Sequence, residues 1–216
     1  MAVELVFKDM TRPSQEILSR ARIICEKDGC EECKECDRVG AVFESKAKKH
    51  THTGMIRKAQ ERDIPALRDI YNYEVLNGVA TFDSELKSLE DRKNWFMEHT
   101  DENHILHVAV VDGIVTGYAS LSSYRPKDAF FSTVELSVYI DPMWRGRGIA
   151  TALMSNMIYH AKQNPNIHNV VSVITSGNEA STRLHERFGF TFCGTMPEVG
   201  VKNGQLLGID NYCLIV

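Results

Sequence analysis

Apolar and polar positions alternate along this chain with two different periods, which predicts short strands interleaved with amphipathic helices. Met55–Ala59 suits a short strand. Asp63 is placed to cap a helix over Pro65–Leu76, with Ile64, Leu67, Ile70 and Tyr71 sharing one face. A second helix is predicted over about Leu89–His99. Ile105–Val111 and Ile114–Ser122 read as strands joined by Asp112-Gly113, a two-residue hairpin signal. Val134–Ile140 is a further strand, and Gly148–Gln163 sets Ile149, Leu153, Met157 and Ile158 on one helix face. Val170–Ile174 reads as a buried strand and Asn178–Phe188 as a helix stopped by Gly189. Thr191–Thr195 and Leu206–Ile215 close the sheet, so the fold class is α/β (α+β).

The first 54 residues break this pattern. Pro13–Lys27 reads as a helix with Ile17, Leu18, Ala21, Ile24 and Cys25 at helical spacing. Four of the six cysteines, Cys25, Cys30, Cys33 and Cys36, follow within twelve residues. Ser45–Gly54 is polar and basic and reads as a linker. The expected organisation is a helical, Cys-rich extension with a basic linker over 1–54, then a catalytic-sized domain over 55–216. The four cysteines are the right number for a tetrahedral zinc site, and His50 and His52 are alternative ligands. The paired spacing of a zinc ribbon is missing, and an iron–sulfur spacing is matched only in part. Structural zinc, redox-active thiols and an exposed helix with no metal chemistry all remain open.

Composition narrows the function classes. The 216 residues carry a net charge of −4. The first 54 hold ten basic and ten acidic residues, so the main domain carries all of that charge. A protein gripping nucleic acid through phosphates would have a basic excess, so no nucleic-acid partner is expected. No apolar run approaches the ~20 residues of a membrane span. Met1–Met10 lacks a signal-peptide core. Reduced thiols and a cytoplasmic location are therefore expected.

Ser132–Met154, STVELSVYIDPMWRGRGIATALM, is the most informative stretch. A strand ends at Asp141-Pro142, a turn carries Arg145-Gly146-Arg147-Gly148, and a helix begins at once. Glycines there let consecutive N–H groups face one point at a helix N-terminus, which suits a phosphate. The stretch has neither the Walker A ending nor the Rossmann GxGxxG pattern, and on spacing alone a plain strand–turn–helix junction serves equally well.

Arg145-x-x-Gly148-x-Ala150, followed by Asn178-x-x-Ser181-x-x-Leu184-His185-x-x-x-Gly189-Phe190, resembles the acetyl-CoA signatures of the GNAT N-acetyltransferase superfamily. Thr81-Phe82, Val134-Glu135-x-Ser137-Val138-Tyr139, Arg183–Glu186 and Gly200-x-Lys202-x-Gly204 are similar to its phosphinothricin acetyltransferase branch, and to the amino-acid N-acyltransferases that modify methionine sulfone or sulfoximine. The similarity spans about Met55–Val216.

The resemblance implies a mixed, mostly antiparallel sheet, splayed between the Val134–Ile140 and Val170–Ile174 strands, with acetyl-CoA in the wedge. It implies acetyl transfer to the α-amine of a small amino-acid-like compound by direct attack, and a homodimer. Cofactor contacts fall on Val138, Tyr139 and Ile140 along the pantetheine, on Arg145, Gly146, Arg147, Gly148, Ile149, Ala150 and Thr151 at the pyrophosphate, and on Asn178 and Ser181. Glu135 is the implied general base, although periodicity alone would leave it on a solvent face. His185 and Tyr139 are candidates for the acid at sulfur, or for ordering water. Phe82, Tyr124, Arg125, Asp128, Ala129 and Phe130 are the expected substrate contacts, with Arg125 facing a carboxylate. A protein or peptide acetyltransferase, and a non-catalytic acyl-CoA sensor using the Cys-rich segment for interaction, are the rival readings.

Overall fold

A computed structural model describes the backbone of β1 (Ala2–Leu5), β2 (Arg22–Ile24) and β3 (Gly40–Ala47), and the chain from His50 to Val216, with side chains from Gly54 onward. The elements that follow are β4 (His50–Lys58), α1 (Ile64–Asn77), α2 (Leu89–Met97), β5 (Ile105–Val111), β6 (Ile114–Ser123), β7 (Thr133–Ile140), α3 (Ile149–Gln163), β8 (Asn169–Thr175), α4 (Glu179–Arg187), β9 (Thr191–Lys202) and β10 (Gln205–Ile215). Among the described residues the strands form one sheet in the order β2-β1-β3-β4-β5-β6-β7-β8-β10-β9. Every pairing from β4 onward is antiparallel except β7 with β8. The seven strands β4–β10 with α1–α4 make the expected mixed, mostly antiparallel, helix-flanked fold.

Two apolar clusters cover the two faces of the sheet. On one face Ala152, Leu153, Met154 and Met157 of α3 bury against Val134 and Leu136 of β7 and Val170 of β8. On the other, Leu67 and Ile70 of α1 pack on Leu106, Val108 and Tyr118 of β5 and β6. Successive residues of β7 therefore serve opposite faces: Val134, Leu136, Val138 and Ile140 join the α3 cluster, while Tyr139 joins the α1 cluster.

Local chemistry explains most boundaries. Ser88 and Asp91 form a reciprocal capping box that starts α2. Asp63 precedes α1 but makes no side-chain cap. Its carboxylate instead accepts the Arg57 guanidinium at 2.6 and 2.8 Å. Asp112 and Gly113 take positive φ of 50° and 81° in the β5–β6 turn.

Three expectations need correction. Ser45–Gly54 is not a linker: its residues lie at the end of β3 and the start of β4, which pair as a hairpin with Ala47 opposite His50. A boundary at 54/55 falls inside β4. Arg22–Ile24, assigned to a helix, is a strand paired with β1. The rest of that helix, and the Cys25, Cys30, Cys33, Cys36 cluster with its zinc reading, lie outside the described residues. Finally, the strand expected over Thr191–Thr195 runs on to Lys202, so Gly200–Gly204 is its end and a hairpin turn.

Candidate active site

β7 pairs with β6 along its whole length, from Val134 to Ile140. With β8 it pairs only at Thr133, Val134 and Glu135. Ser172 Oγ still reaches the Leu136 carbonyl at 3.3 Å, and beyond it the strands part. The β7 main chain past Leu136 thus has no strand neighbour on the β8 side. An extended, amide-bearing ligand can complete such an edge as an added strand.

The wedge opens onto a cleft of about 500 Å³, bounded by Ser137–Ile140, by Trp144–Gly146 and Gly148–Thr151 of the turn but not by Arg147, by β8 and by the first turns of α4. Gly148 is the N-cap of α3 with φ of 82°, a conformation that favours glycine. Having no side chain, it caps nothing, and the first turn of α3 holds no acidic residue. The first intrahelical bond is Ala152 N–H to Gly148 O at 3.0 Å, which leaves the N–H groups of Ile149, Ala150 and Thr151 without helical acceptors. The helix dipole adds positive potential there.

The two arginines of the turn are differently engaged. Arg145 pairs with the buried Glu74 of α1 and donates to the Ile140 carbonyl at 3.3 Å. Its charge is largely spent on fastening the turn to α1. Arg147 lies over the Trp144 ring at 4.8 Å. Asn178 caps α4, its Oδ1 accepting the Ser181 N–H at 3.3 Å, and both residues line the cleft.

His185 lines the same cleft, 5% exposed. Its Nδ1 is 2.8 Å from the Ser181 carbonyl, a pure acceptor, so Nδ1 carries the proton. Nε2 is then an acceptor with no partner among the described residues. Burial lowers the imidazole pKa. A neutral ring in this tautomer can accept a hydrogen bond from water or an amide, but has no proton at Nε2 to give to sulfur. Tyr139 sits beside Tyr118 and Tyr71, with ring centroids 5.3 Å away in each case. Burial pushes its phenol well above the ordinary value, so it stays protonated.

A second cleft of about 530 Å³ lies on the α1–α2 side. Glu135 points into it, and burial raises the Glu135 pKa. The clefts share Ala80, Ser137, Tyr139 and Val173. They therefore meet where the free edge of β7 begins, just past Glu135. Phe82 lines the second cleft and packs on Gly200 of β9, where an added Cβ would stand 2.4 Å from the ring.

The other expected substrate contacts are not brought together with it. Tyr124 and Phe130 pair with each other at 5.8 Å, and Arg125 lies over both rings. Neither cleft is lined by Tyr124, Arg125, Asp128, Ala129 or Phe130. Sequence reading missed Tyr71, Asp83, Arg92 and Trp95, which do line the second cleft. A buried arginine in the apolar spacing of α2 was the available signal for Arg92. Lys202, which entered only through the Gly200-x-Lys202-x-Gly204 resemblance, is 3% exposed, and its ammonium donates to the carbonyls of Val75 (2.7 Å) and Asp83.

Comparison with known proteins fits this geometry. The Acetyltransferase (GNAT) family matches residues 67–190. An L-methionine sulfoximine/L-methionine sulfone acetyltransferase of Salmonella typhimurium is 38% identical over 154 residues, covering 71% of this chain and 90% of that one. The crystal structure of a phosphinothricin acetyltransferase from Sinorhizobium meliloti in complex with AcCoA superposes with a TM-score of 0.72 at 30% identity, covering 76% and 88%. A structure titled ribosomal-protein-alanine N-acetyltransferase, from Brucella melitensis, gives 0.72 at 38% identity, covering 74% and 99%.

Proposed function

The chain belongs to the GNAT family of acetyltransferases, and on that premise we propose that it transfers the acetyl group of acetyl-CoA to the α-amine of a small amino-acid-like acceptor. The observation that carries this reading is the meeting of two clefts at one strand edge. One offers an unpaired strand and an uncapped helix N-terminus. The other offers the half-buried carboxylate of Glu135.

In this reading the pantetheine pairs with the main chain of Val138–Ile140, and the pyrophosphate sits on the N–H groups of Gly148–Thr151. Gly146, Arg147, Asn178 and Ser181 border it. Arg145 acts by holding the turn on Glu74. Glu135 takes the proton from the acceptor ammonium, its raised pKa bringing it closer to a base that works near neutrality. The amine attacks the thioester carbon directly, with no acyl-enzyme. A β7 backbone N–H near Val138 stabilises the oxyanion. His185, neutral and accepting at Nε2, orders cofactor or water, and Tyr139 is the protonated group at the junction.

The finer organisation is part of the same proposal: a GNAT domain that begins with β4, an appended segment before it, a cytoplasmic location and a homodimer. Phe192, Met196, Val199 and Val201 leave an exposed apolar stretch along β9 that suits a second copy. The Brucella structure favours one alternative acceptor, a protein N-terminus. A thiol-release assay with L-methionine sulfone, phosphinothricin and an alanine-initiated peptide separates the readings. Turnover of the amino acids is expected. Turnover of the peptide alone would replace this proposal, and acetyl-CoA binding with no turnover would favour a sensor.

A further inference from the structure

The cleft on the α1–α2 side contains a buried cation with no counter-ion among the described residues. Arg92 on α2 is 5% exposed. Its guanidinium stacks on Trp95 at 3.6 Å and faces the rings of Tyr71 and Tyr118 at 4.7 and 5.7 Å. One NH2 donates to the Tyr118 hydroxyl at 3.3 Å, while Nε is buried and unpartnered. No carboxylate among the described residues lies within ion-pair distance.

The acidic groups of the same cleft are otherwise engaged. Asp83 accepts the Tyr71 hydroxyl at 2.6 Å and pairs with Lys87 at 2.9 Å. Asp91 accepts the Ser88 hydroxyl and N–H in the capping box. Glu135 is the remaining acid, and burial alone accounts for its raised pKa, with no cation contributing. Aromatic faces offset part of the cost of burying a guanidinium, but an unpaired buried charge stays unfavourable until an anion meets it.

We infer that Arg92 is the anchor for the acceptor's α-carboxylate. This rests on the acetyltransferase reading and deepens it. An α-amino acid carries ammonium and carboxylate on one carbon, and the cleft supplies a base for the first and a guanidinium fork for the second. The acceptor class is then the free α-amino acid, which excludes amino-acid amides and peptide N-termini, where that carboxylate is consumed in an amide. Arg125, the expected partner of this carboxylate, lines neither cleft.

The test compares L-methionine sulfone with its carboxamide under saturating acetyl-CoA, following thiol release. The wild-type protein should favour the acid in kcat/KM by at least about 30-fold, the scale of leaving one partner of a buried charge pair unmatched. Arg92→Gln should lower kcat/KM for the acid while sparing the amide, bringing the ratio near unity. Arg92→Lys, which keeps the charge and loses the fork, should fall between. A structural role alone would lower both substrates together and leave the ratio intact, which overturns the inference. Equal wild-type turnover of acid and amide overturns it without any variant and leaves the acetyltransferase reading standing. A ratio lost in Arg125→Gln and kept in Arg92→Gln overturns it as well. Turnover of neither compound removes the parent reading and this one with it.

Discussion

Glu135 shows how one environment sets both activity and stability. Burial raises its pKa, so its carboxylate is a stronger base than an exposed glutamate and also a less comfortable charge. Glu135→Gln should cut turnover at least tenfold near neutrality, general-base assistance being worth ~10²–10⁴. The wild-type rate should rise with pH through an acid limb above the ordinary glutamate range, and that limb should vanish in the variant. Stability should move the other way. A group whose folded pKa is raised contributes stability below its unfolded value and loses it as pH rises through the folded one. Glu135→Gln should therefore raise the thermal midpoint at pH 7 and not at pH 4, as calorimetry can show. At this scale the sequence was only partly legible. Strand periodicity alone would have put Glu135 on a solvent face, and resemblance reversed that. No linear pattern revealed that Arg92 lacks a carboxylate, because that depends on what Asp83 and Asp91 do in space.

Helices and strands were easier to read than their ends. The α3 stripe and the Asp112-Gly113 turn follow from spacing and backbone preference, and both are where the pattern placed them. Ser45–Gly54 misled because a Lys- and Thr-rich stretch suits a peripheral hairpin as well as a tether. The extension of β9 to Lys202 was hidden because Pro197, the positive-φ Glu198 and a register shift interrupt the strand pattern before the far half pairs with β10 again. Lys202 fastens the hairpin tip to the C-terminal turn of α1 and to the segment carrying Phe82 and Asp83. Lys202→Met would leave the carbonyls of Val75 and Asp83 unpaired. The expected cost is about 1–3 kcal/mol in urea unfolding. The KM for the amine should rise while coenzyme A affinity holds, since the hairpin tip borders the acceptor side.

Across the whole molecule, buried neutral histidines set the acid limit. Burial lowers the pKa of His99 to about 4 and of His107 to about 3, and depresses His160 and His185 as well. His99 bridges the Trp95 carbonyl and the Ser122 hydroxyl at 2.8 Å each, and His107 donates to Asn156 Oδ1 at 2.5 Å. Their unfolded pKa is about 6.5. Their contribution to stability is then complete above pH 6.5 and declines as pH falls toward the folded values, because the unfolded chain takes up protons that the folded one refuses. The urea midpoint should drop between pH 6.5 and 5, before most carboxylates titrate, and His99→Gln should flatten that slope.

The short seam between β7 and β8 carries a kinetic consequence. With the proposed roles of the two clefts, donor and acceptor come to the reacting carbon from separate sides of one strand, so neither blocks the other's path. Double-reciprocal plots should intersect rather than run parallel. A desulfo analogue of coenzyme A should compete with the thioester and still let the amino acid bind.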